Sequence, residues 1–507
     1  MPHSLLEKNA KEVGAYQFIN GRWKKPAKKG KIFENRNPST GELLSVYAET
    51  PSEDVDAAVQ SAQKAFGHWR KVPAARRGEL LLKAMEILAR RKEEAAQIET
   101  REMGKVLKET RGDVQEAVDT AFYYAGEGRR LFGQTTTSEL ADKFCMSVRM
   151  PVGVCGLITP WNFPMAIPSW KILPALLCGN SVVVKPASDT PDSARLFIEA
   201  LQQAGIPDGA VNLIYGRGAT VGKSLMEHPD VRLVSFTGSS QVGGLIGGYC
   251  GKAFKKCSLE MGGKNAQIVL EDANMDLAVE GAVWGAFGTS GQRCTATSRV
   301  IVHTEVYAEF LERFVRRARG LKVGDGLDPS TDMGPLINAG QVRTVEKYVE
   351  IGREEDRAKL ATGGKKISDG ACAAGHFFEP TIFEGRPEMR IAREEIFGPV
   401  ATVIKVRSFE EAMAVLNDSD YGLSGAVYTR DVNRVMRAVA DMETGITYIN
   451  APTIGAEVHL PFGGVKRTGN GHRESGTSAL DIFTEWKSVY IDYSDKLQKA
   501  QIDTYEG

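Results

Sequence analysis

No run of about 18 apolar residues occurs in this chain, so no membrane-spanning helix is expected. Neither charge is in excess, because 64 Lys and Arg balance 64 Asp and Glu, and no long basic run stands out. Without such a field, nucleic acid is not expected as a partner. Zero net charge also leaves self-association unopposed, so a homodimer or homotetramer is easily accommodated. The seven cysteines are Cys145, Cys155, Cys178, Cys250, Cys257, Cys294 and Cys372; none forms a C-x-x-C pair and the count is odd. In a chain this long that pattern reads as reduced thiols in a cytoplasmic-type compartment, with no disulfide frame and no metal site. The opening residues, Met1 to Lys8, contain no apolar stretch of the signal-peptide kind. There is no internal repeat and no low-complexity tract.

The 507 residues are too many for one core and suggest two or three domains. The 53 glycines exceed the usual share of about 7%, which suits tight turns and close approach of backbone to ligand. Residues 15–50 read as short strands with turns at Asn20-Gly21 and Gly41. From Ser52 to about Lys108, apolar residues recur at helical spacing. From 146 onward the pattern becomes strand, then helix, repeatedly. Apolar strands end at Thr159-Pro160-Trp161-Asn162, at Lys185-Pro186, after Ile214, and at Thr237-Gly238-Ser239. This alternation predicts an α/β fold with a doubly wound parallel sheet, whose ligands bind beyond the carboxyl ends of the strands. A second α/β alternation begins near 265, and 486–491 reads as a late strand.

Four groups of residues carry possible chemistry. Cys294 lies among small and hydroxylated residues, Gly288 to Arg299, beside Arg293. Such a loop exposes a thiol, and a cationic neighbour favours the thiolate. Cys155 and Cys178, by contrast, sit in apolar runs and read as core. Glu260 ends a strand before Met261-Gly262-Gly263-Lys264; alone it reads as a surface carboxylate, but beside a thioester it is a natural base for water. Asn162 lies in Pro160-Trp161-Asn162-Phe163-Pro164, either bonding its own turn or donating to an oxyanion. Phe236 to Gly243 follows a strand and opens a helix, so its N–H groups suit a pyrophosphate, although it is not G-x-G-x-x-G.

Together these groups resemble the aldehyde dehydrogenase superfamily. Asn162, Glu260 and Cys294 match its oxyanion donor, general base and nucleophile in order, with 34 residues from Glu260 to Cys294. Glu395-Ile396-Phe397-Gly398-Pro399 and Pro461-Phe462-Gly463-Gly464-Val465-Lys466 match two further motifs, and the likeness runs from about 17 to 492. The resemblance implies a dinucleotide-binding domain (1–130 and 154–263), an α/β catalytic domain (264–477), and a small β oligomerisation arm with tail (131–153 and 478–507). It also implies oxidation of an aldehyde to the acid through a cysteine thiohemiacetal and thioester. Ile158, Trp161, Lys185, Ser188, Gly238, Ser239, Glu395 and Phe397 would bind NAD or NADP. Phe163, Arg293, Thr295 and Phe462 would meet the substrate.

One departure bears on the cofactor. Many NAD-preferring relatives carry a glutamate where this chain has Ser188. A carboxylate there repels a 2′-phosphate, whereas serine can donate to one. NADP is therefore expected to be accepted, and a preference for it stays open; Asp189, turned inward, would restore the repulsion. The segments 291–299 and 450–457 look like those of 2-oxoglutarate semialdehyde (2,5-dioxopentanoate) dehydrogenases. Arg293 is expected either to grip a substrate carboxylate as a bidentate fork or to point away onto a protein acid. Succinate, aminoadipate or glutamate semialdehydes and a broad-specificity enzyme are the alternatives. Glu260 argues against a coenzyme-A-acylating relative, and the complete triad argues against a non-enzymatic one.

Overall fold

The computed structural model describes residues 17–26 and 31–502. The signal-peptide reading at Met1 to Lys8 lies outside the described residues, as do the outermost ends of the expected N-terminal unit and tail. The chain folds as mixed α/β around two seven-stranded, largely parallel sheets and a three-stranded antiparallel one.

In the first sheet five parallel strands lie in the order Lys256–Glu260, Val231–Thr237, Val154–Ile158, Ser181–Lys185, Val211–Leu213. A hairpin, Gln17–Ile19 and Arg22–Lys24, extends the edge antiparallel. Its two-residue turn is Asn20-Gly21, at φ of 52° and 73°, the left-handed pair that such hairpins require. The inner strands are buried almost throughout, which is why they read as continuous apolar runs. Helices Ser52–Trp69 and Pro191–Ala204 pack on this sheet region, and Ala166–Leu177 is buried at every position. Burying one large apolar side chain, such as Leu173 or Ile172 there, contributes roughly 1.5–3 kcal/mol.

Topology places the crevice. From Val154–Ile158 the chain builds outward to Val211–Leu213, then crosses to lay Val231–Thr237 on the opposite side. Strand order thus reverses between Val154–Ile158 and Val231–Thr237. A reversal opens a crevice at the carboxyl ends. Thr159 to Asn162 and Gly238 to Ser240 follow those two strands.

The second sheet runs Lys359–Thr362, Thr381–Gly385, Val400–Val406, Thr297–His303, Asn265–Val269, Ser424–Tyr428, Ile446–Ile449, antiparallel only at its first pair. Cys294 precedes Thr297–His303, Lys264 precedes Asn265–Val269, and Glu395 precedes Val400–Val406. The candidate site therefore lies between the carboxyl ends of the first sheet and the amino ends of the second. In the antiparallel sheet, Lys143–Pro151 is central between Gln134–Thr137 and Thr484–Asp492.

Several elements lack a strong pattern in the sequence. Helix Leu107–Glu127 mixes buried acids and hydroxyls with its apolar residues. Helix Val432–Asp441 buries only Ala438, so its stripe of Val432, Met436 and Val439 faces outward.

Candidate active site

Helix Met275–Phe287 runs into the Cys294 loop through a turn at Gly288–Gly291. Thr289, Ser290 and Gly291 are all left-handed, at φ of 53°, 55° and 69°. For residues with a Cβ this conformation costs roughly 1–2 kcal/mol each, so the turn needs outside support. Ser290 Oγ donates to Gly334 O at 2.7 Å. Gln292 Oε1 accepts from Ile337 N at 2.9 Å, and its amide donates to Pro335 O. On the far side of the turn, Asn265 Nδ2 donates to the carbonyls of Cys294 (2.8 Å) and Ala296 (3.0 Å).

The expectation of an exposed thiol beside a cation is corrected here. Cys294 is only partly open, and burial pushes its thiol up to about 12, reinforced by Glu395 and Glu260. Backbone N–H groups of Thr295 and Cys294 pull the other way. Arg293 does not face the thiol. Its Nε donates to Thr289 Oγ1 (2.9 Å) and its Nη2 to Glu109 Oε1 (3.1 Å), while the guanidinium lies between the rings of Phe163 and Trp284. A bidentate fork needs two neighbouring N–H groups. Nε and one N–H of Nη2 are engaged, which leaves both N–H groups of Nη1 and the second of Nη2 for a substrate oxygen.

Asn162 and Glu260 arrive from the first sheet. Asn162 is buried, and instead of bonding its own turn it donates from Nδ2 to Gln292 O at 3.1 Å, beside the nucleophile loop. Glu260 ends its strand fully buried, and neither carboxyl oxygen has a partner. Burial and the nearby Glu474 hold it well above the usual carboxylate range, opposed by Lys171 and Arg473. Only glycine fits opposite it. A Cβ on Gly463, at φ 145°, would come within 2.4 Å of Glu260 Oε1. Lys171 Nζ donates to Ser235 Oγ at 2.9 Å and to Glu474 Oε1. Glu260 thus lies near a buried acid–amine pair without a hydrogen bond to it.

An apolar wall surrounds the thiol. Ala166, Ile167, Trp170, Leu423 and Phe462 form one cluster, with Phe163, Cys294 and Ile446 packed against it. Trp170 and Phe462 lie 4.8 Å apart. Phe163 and Phe462 therefore stand beside Cys294. Thr295 is buried and its carbonyl accepts from Thr453 Oγ1 at 2.7 Å.

The opposite side of the loop suits a dinucleotide. Ser239 caps helix Ser240–Lys252, leaving an N-terminus at the crevice, with Gly238 beside it. The buried hydroxyls of Thr159 and Thr237, at the two reversing strand ends, have no partner. Lys185 Nζ donates to Pro186 O (2.7 Å) and Gly216 O (3.0 Å), and burial lowers it to about 8. Ile158 is buried beside it at the neighbouring strand end. Ser188 is half-buried just beyond Lys185; Asp189 next to it accepts from Asn338 Nδ2 at 2.9 Å. Trp161 and Phe397 meet edge to face at 5.4 Å. Glu395 accepts from Gly263 N at 3.1 Å, and a Cβ on Gly262 would fall 2.0 Å from Glu395 Oε2. Burial raises Glu395 to about 7. These groups suit the polar and aromatic parts of a dinucleotide in the crevice.

Comparison with known proteins agrees with this geometry. The model of the aldehyde dehydrogenase family matches residues 23–489. The chain belongs to that family. It is 42% identical to the alpha-ketoglutaric semialdehyde dehydrogenase of Bacillus subtilis, over 94% of this chain and 97% of that protein. It is 41% identical to the alpha-ketoglutarate semialdehyde dehydrogenase of Haloferax volcanii, over 94% and 98%. The crystal structure of Staphylococcus aureus betaine aldehyde dehydrogenase in complex with NAD+ superposes with a TM-score of 0.93 at 34% identity, covering 96% of this chain and 97% of that one. The protein is thus an NAD(P)-dependent aldehyde dehydrogenase. Among the described residues no helix is long and apolar enough to cross a membrane.

Sequence reasoning passed over several groups around this aldehyde dehydrogenase site. Glu109, Asp113 and Glu116 lie on helix Leu107–Glu127. Asp113 Oδ1 accepts from Ala166 N at 2.7 Å, fixing the start of the Trp170 helix. Glu116, raised to about 8 by burial and by Asp113, lies near Arg293. Lys105 is fully buried, 2.6 Å from both Glu99 and Asp113, with its Nζ 4.1 Å over the Phe163 ring. The available signal was the spacing of 109, 113 and 116, which puts three acids on one helix face. Lys171 had a plainer one, as the single charge in the apolar run Ala166–Leu177.

Proposed function

We propose that this aldehyde dehydrogenase oxidises a carboxylate-bearing semialdehyde, foremost 2-oxoglutarate semialdehyde, to the acid with NAD(P)+. The convergence of Cys294, Asn162 and Glu260 at the crevice carries the mechanism. The Cys294 thiol loses its proton to solvent and the Sγ thiolate attacks the aldehyde carbon, opening the C=O double bond to a thiohemiacetal oxyanion. This oxyanion takes hydrogen bonds from Asn162 Nδ2, released from Gln292 O, and from the Cys294 backbone N–H; one such donor is typically worth about 2.7–4 kcal/mol. The dinucleotide, when bound, supplies the hydride acceptor. Glu260, once deprotonated, takes a proton from water, which attacks the resulting thioester and frees the acid and the thiol.

The names of the two semialdehyde-specific relatives support the substrate class. Phe163, Phe462 and Thr295 would line its path, with the unengaged N–H groups of Arg293 as donors to its distal carboxylate. Ile158, Trp161, Lys185, Ser188, Gly238, Ser239, Glu395 and Phe397 would hold the dinucleotide, with Lys185 toward the adenosine ribose, Ser239 at the pyrophosphate and Glu395 at the nicotinamide ribose. Ser188 supports acceptance of NADP; Asp189, which accepts from Asn338 Nδ2 and lies near Lys185, is the neighbouring carboxylate that would oppose a 2′-phosphate. In domain terms, 1–130 and 154–263 would bind the dinucleotide, 264–477 the aldehyde, and 131–153 with 478–507 a second subunit. Exposed Val432, Met436 and Val439, and Trp486, Tyr490 and Ile491 on the antiparallel sheet, support a homodimer or homotetramer. Seven unpaired cysteines support a cytoplasmic setting.

NAD(P)H absorbance with a panel of aldehydes, with and without coenzyme A, tests the reading. The highest kcat/KM is expected for 2-oxoglutarate semialdehyde, independent of coenzyme A. Equal or better turnover of a neutral aliphatic aldehyde would overturn the substrate class, and better turnover of succinate semialdehyde would reassign it. Dependence on coenzyme A would overturn hydrolysis by Glu260. An NAD preference above about a hundredfold, roughly 2.7 kcal/mol, would remove NADP.

A further inference from the structure

The turn before Cys294 is held by one acid from another part of the chain. Glu109 lies in the first turn of helix Leu107–Glu127, where a helix N-terminus favours negative charge. Its side chain is 4% exposed. Thr289 N, the first left-handed residue of the turn, donates to Glu109 Oε1 (3.0 Å) and Oε2 (3.2 Å). Arg293 Nη2 donates to the same Oε1 at 3.1 Å, and Arg293 Nε returns to Thr289 Oγ1. The ring closes on itself: carboxylate to turn backbone, turn hydroxyl to guanidinium, guanidinium to carboxylate. Cys294 is the next residue along.

We propose that Glu109 is a positioning residue for the nucleophile: it fixes the backbone of the left-handed turn and the rotamer of Arg293, and so sets where Cys294 presents its thiol and backbone N–H. This rests on Cys294 being the nucleophile. Three features require an acid here. Thr289 resists a positive φ and relaxes if its N–H is released. The guanidinium is half-buried between two rings and needs a counter-charge. Without Glu109, Arg293 keeps only its bond to Thr289 Oγ1 and the nearby charge of Glu116, so its rotamer is less tightly fixed. Neither phenylalanine nor tryptophan can hold it by hydrogen bonding.

Glu109→Ala and Glu109→Gln separate this role from mere support of the fold. Glutamine still accepts from Thr289 N and loses the charge on Arg293. We expect kcat to fall about a hundredfold in Glu109→Ala and less in Glu109→Gln, because an ångström of misplacement can cost that much. KM for NAD+ and the far-ultraviolet dichroism should be unchanged. Alkylation of Cys294 by iodoacetamide, followed by mass spectrometry well below the melting temperature without cofactor, should change in rate along with kcat. A purely structural role would lower the melting temperature and leave that rate alone, which would overturn the proposal. So would a kcat in Glu109→Ala within about twofold of wild type. If Glu109→Ala does not fold, Glu109→Gln decides alone by the same two rates. Cys294→Ala is the control: turnover by that variant would refute the nucleophile itself, whereas an inactive Cys294→Ala beside a wild-type-like Glu109→Ala would refute only the positioning.

Discussion

At Cys294 two physical demands pull apart. A nucleophile needs its thiolate, yet burial, with the acids Glu395 and Glu260 nearby, pushes this thiol up to about 12. The rate of alkylation should therefore keep climbing, roughly tenfold per pH unit between pH 7 and 9, because the thiolate fraction is far from saturation. Stopped alkylation assays across that range check this; a plateau near neutrality would mean a depressed thiol and a cation facing it. The sequence marked Asn162, Glu260 and Cys294 as candidates, because each stands in a distinctive local motif. It misread the thiol's surroundings, since small polar neighbours look like a surface loop whether or not another element covers them. The direction of Arg293 was equally hidden. Its partner Glu109 lies 184 residues earlier, and nothing local links the two.

Among the elements, parallel strands were the most legible, because a strand buried on both faces is a continuous apolar run. Their polar ends at Thr159 to Asn162 and at Thr237 to Ser239 marked the crevice directly. Helix Leu107–Glu127 escaped notice because its inward face carries Glu109, Asp113 and Glu116, where an amphipathic pattern would show apolar residues. That face depends on Lys105, whose amine balances Glu99 and Asp113 with no access to solvent. Lys105→Ala leaves two acids buried without their counter-charge. Breaking such a cluster typically costs about 3–5 kcal/mol, so a clear fall in melting temperature is expected by calorimetry. Asp113 also fixes the start of the Trp170 helix, so activity should fall with stability. An unchanged melting temperature would show that water already reaches the cluster.

For the whole molecule, the second sheet offers its amino ends to a site that the first sheet meets with carboxyl ends. No rule about a single sheet predicts that meeting; it follows from packing two units face to face. Uncovered apolar side chains point to a further level of assembly. Val432, Met436 and Val439 form a stripe on a helix that buries only Ala438. Light scattering after gel filtration should find a dimer or larger species, and Met436→Glu should shift it toward a smaller one. A monomeric wild type would leave that stripe without a role.

The central claim is that Cys294 carries the oxidised substrate until Glu260 lets water remove it. Glu260→Gln, mixed with aldehyde and NAD+, tests it most directly by intact-mass and peptide mass spectrometry. The account predicts one acyl group on Cys294, formed with about one equivalent of NADH per subunit in a fast first phase, followed by turnover about 10²–10⁴-fold slower than wild type. No adduct, an adduct on another residue, or steady turnover at the wild-type rate would contradict it.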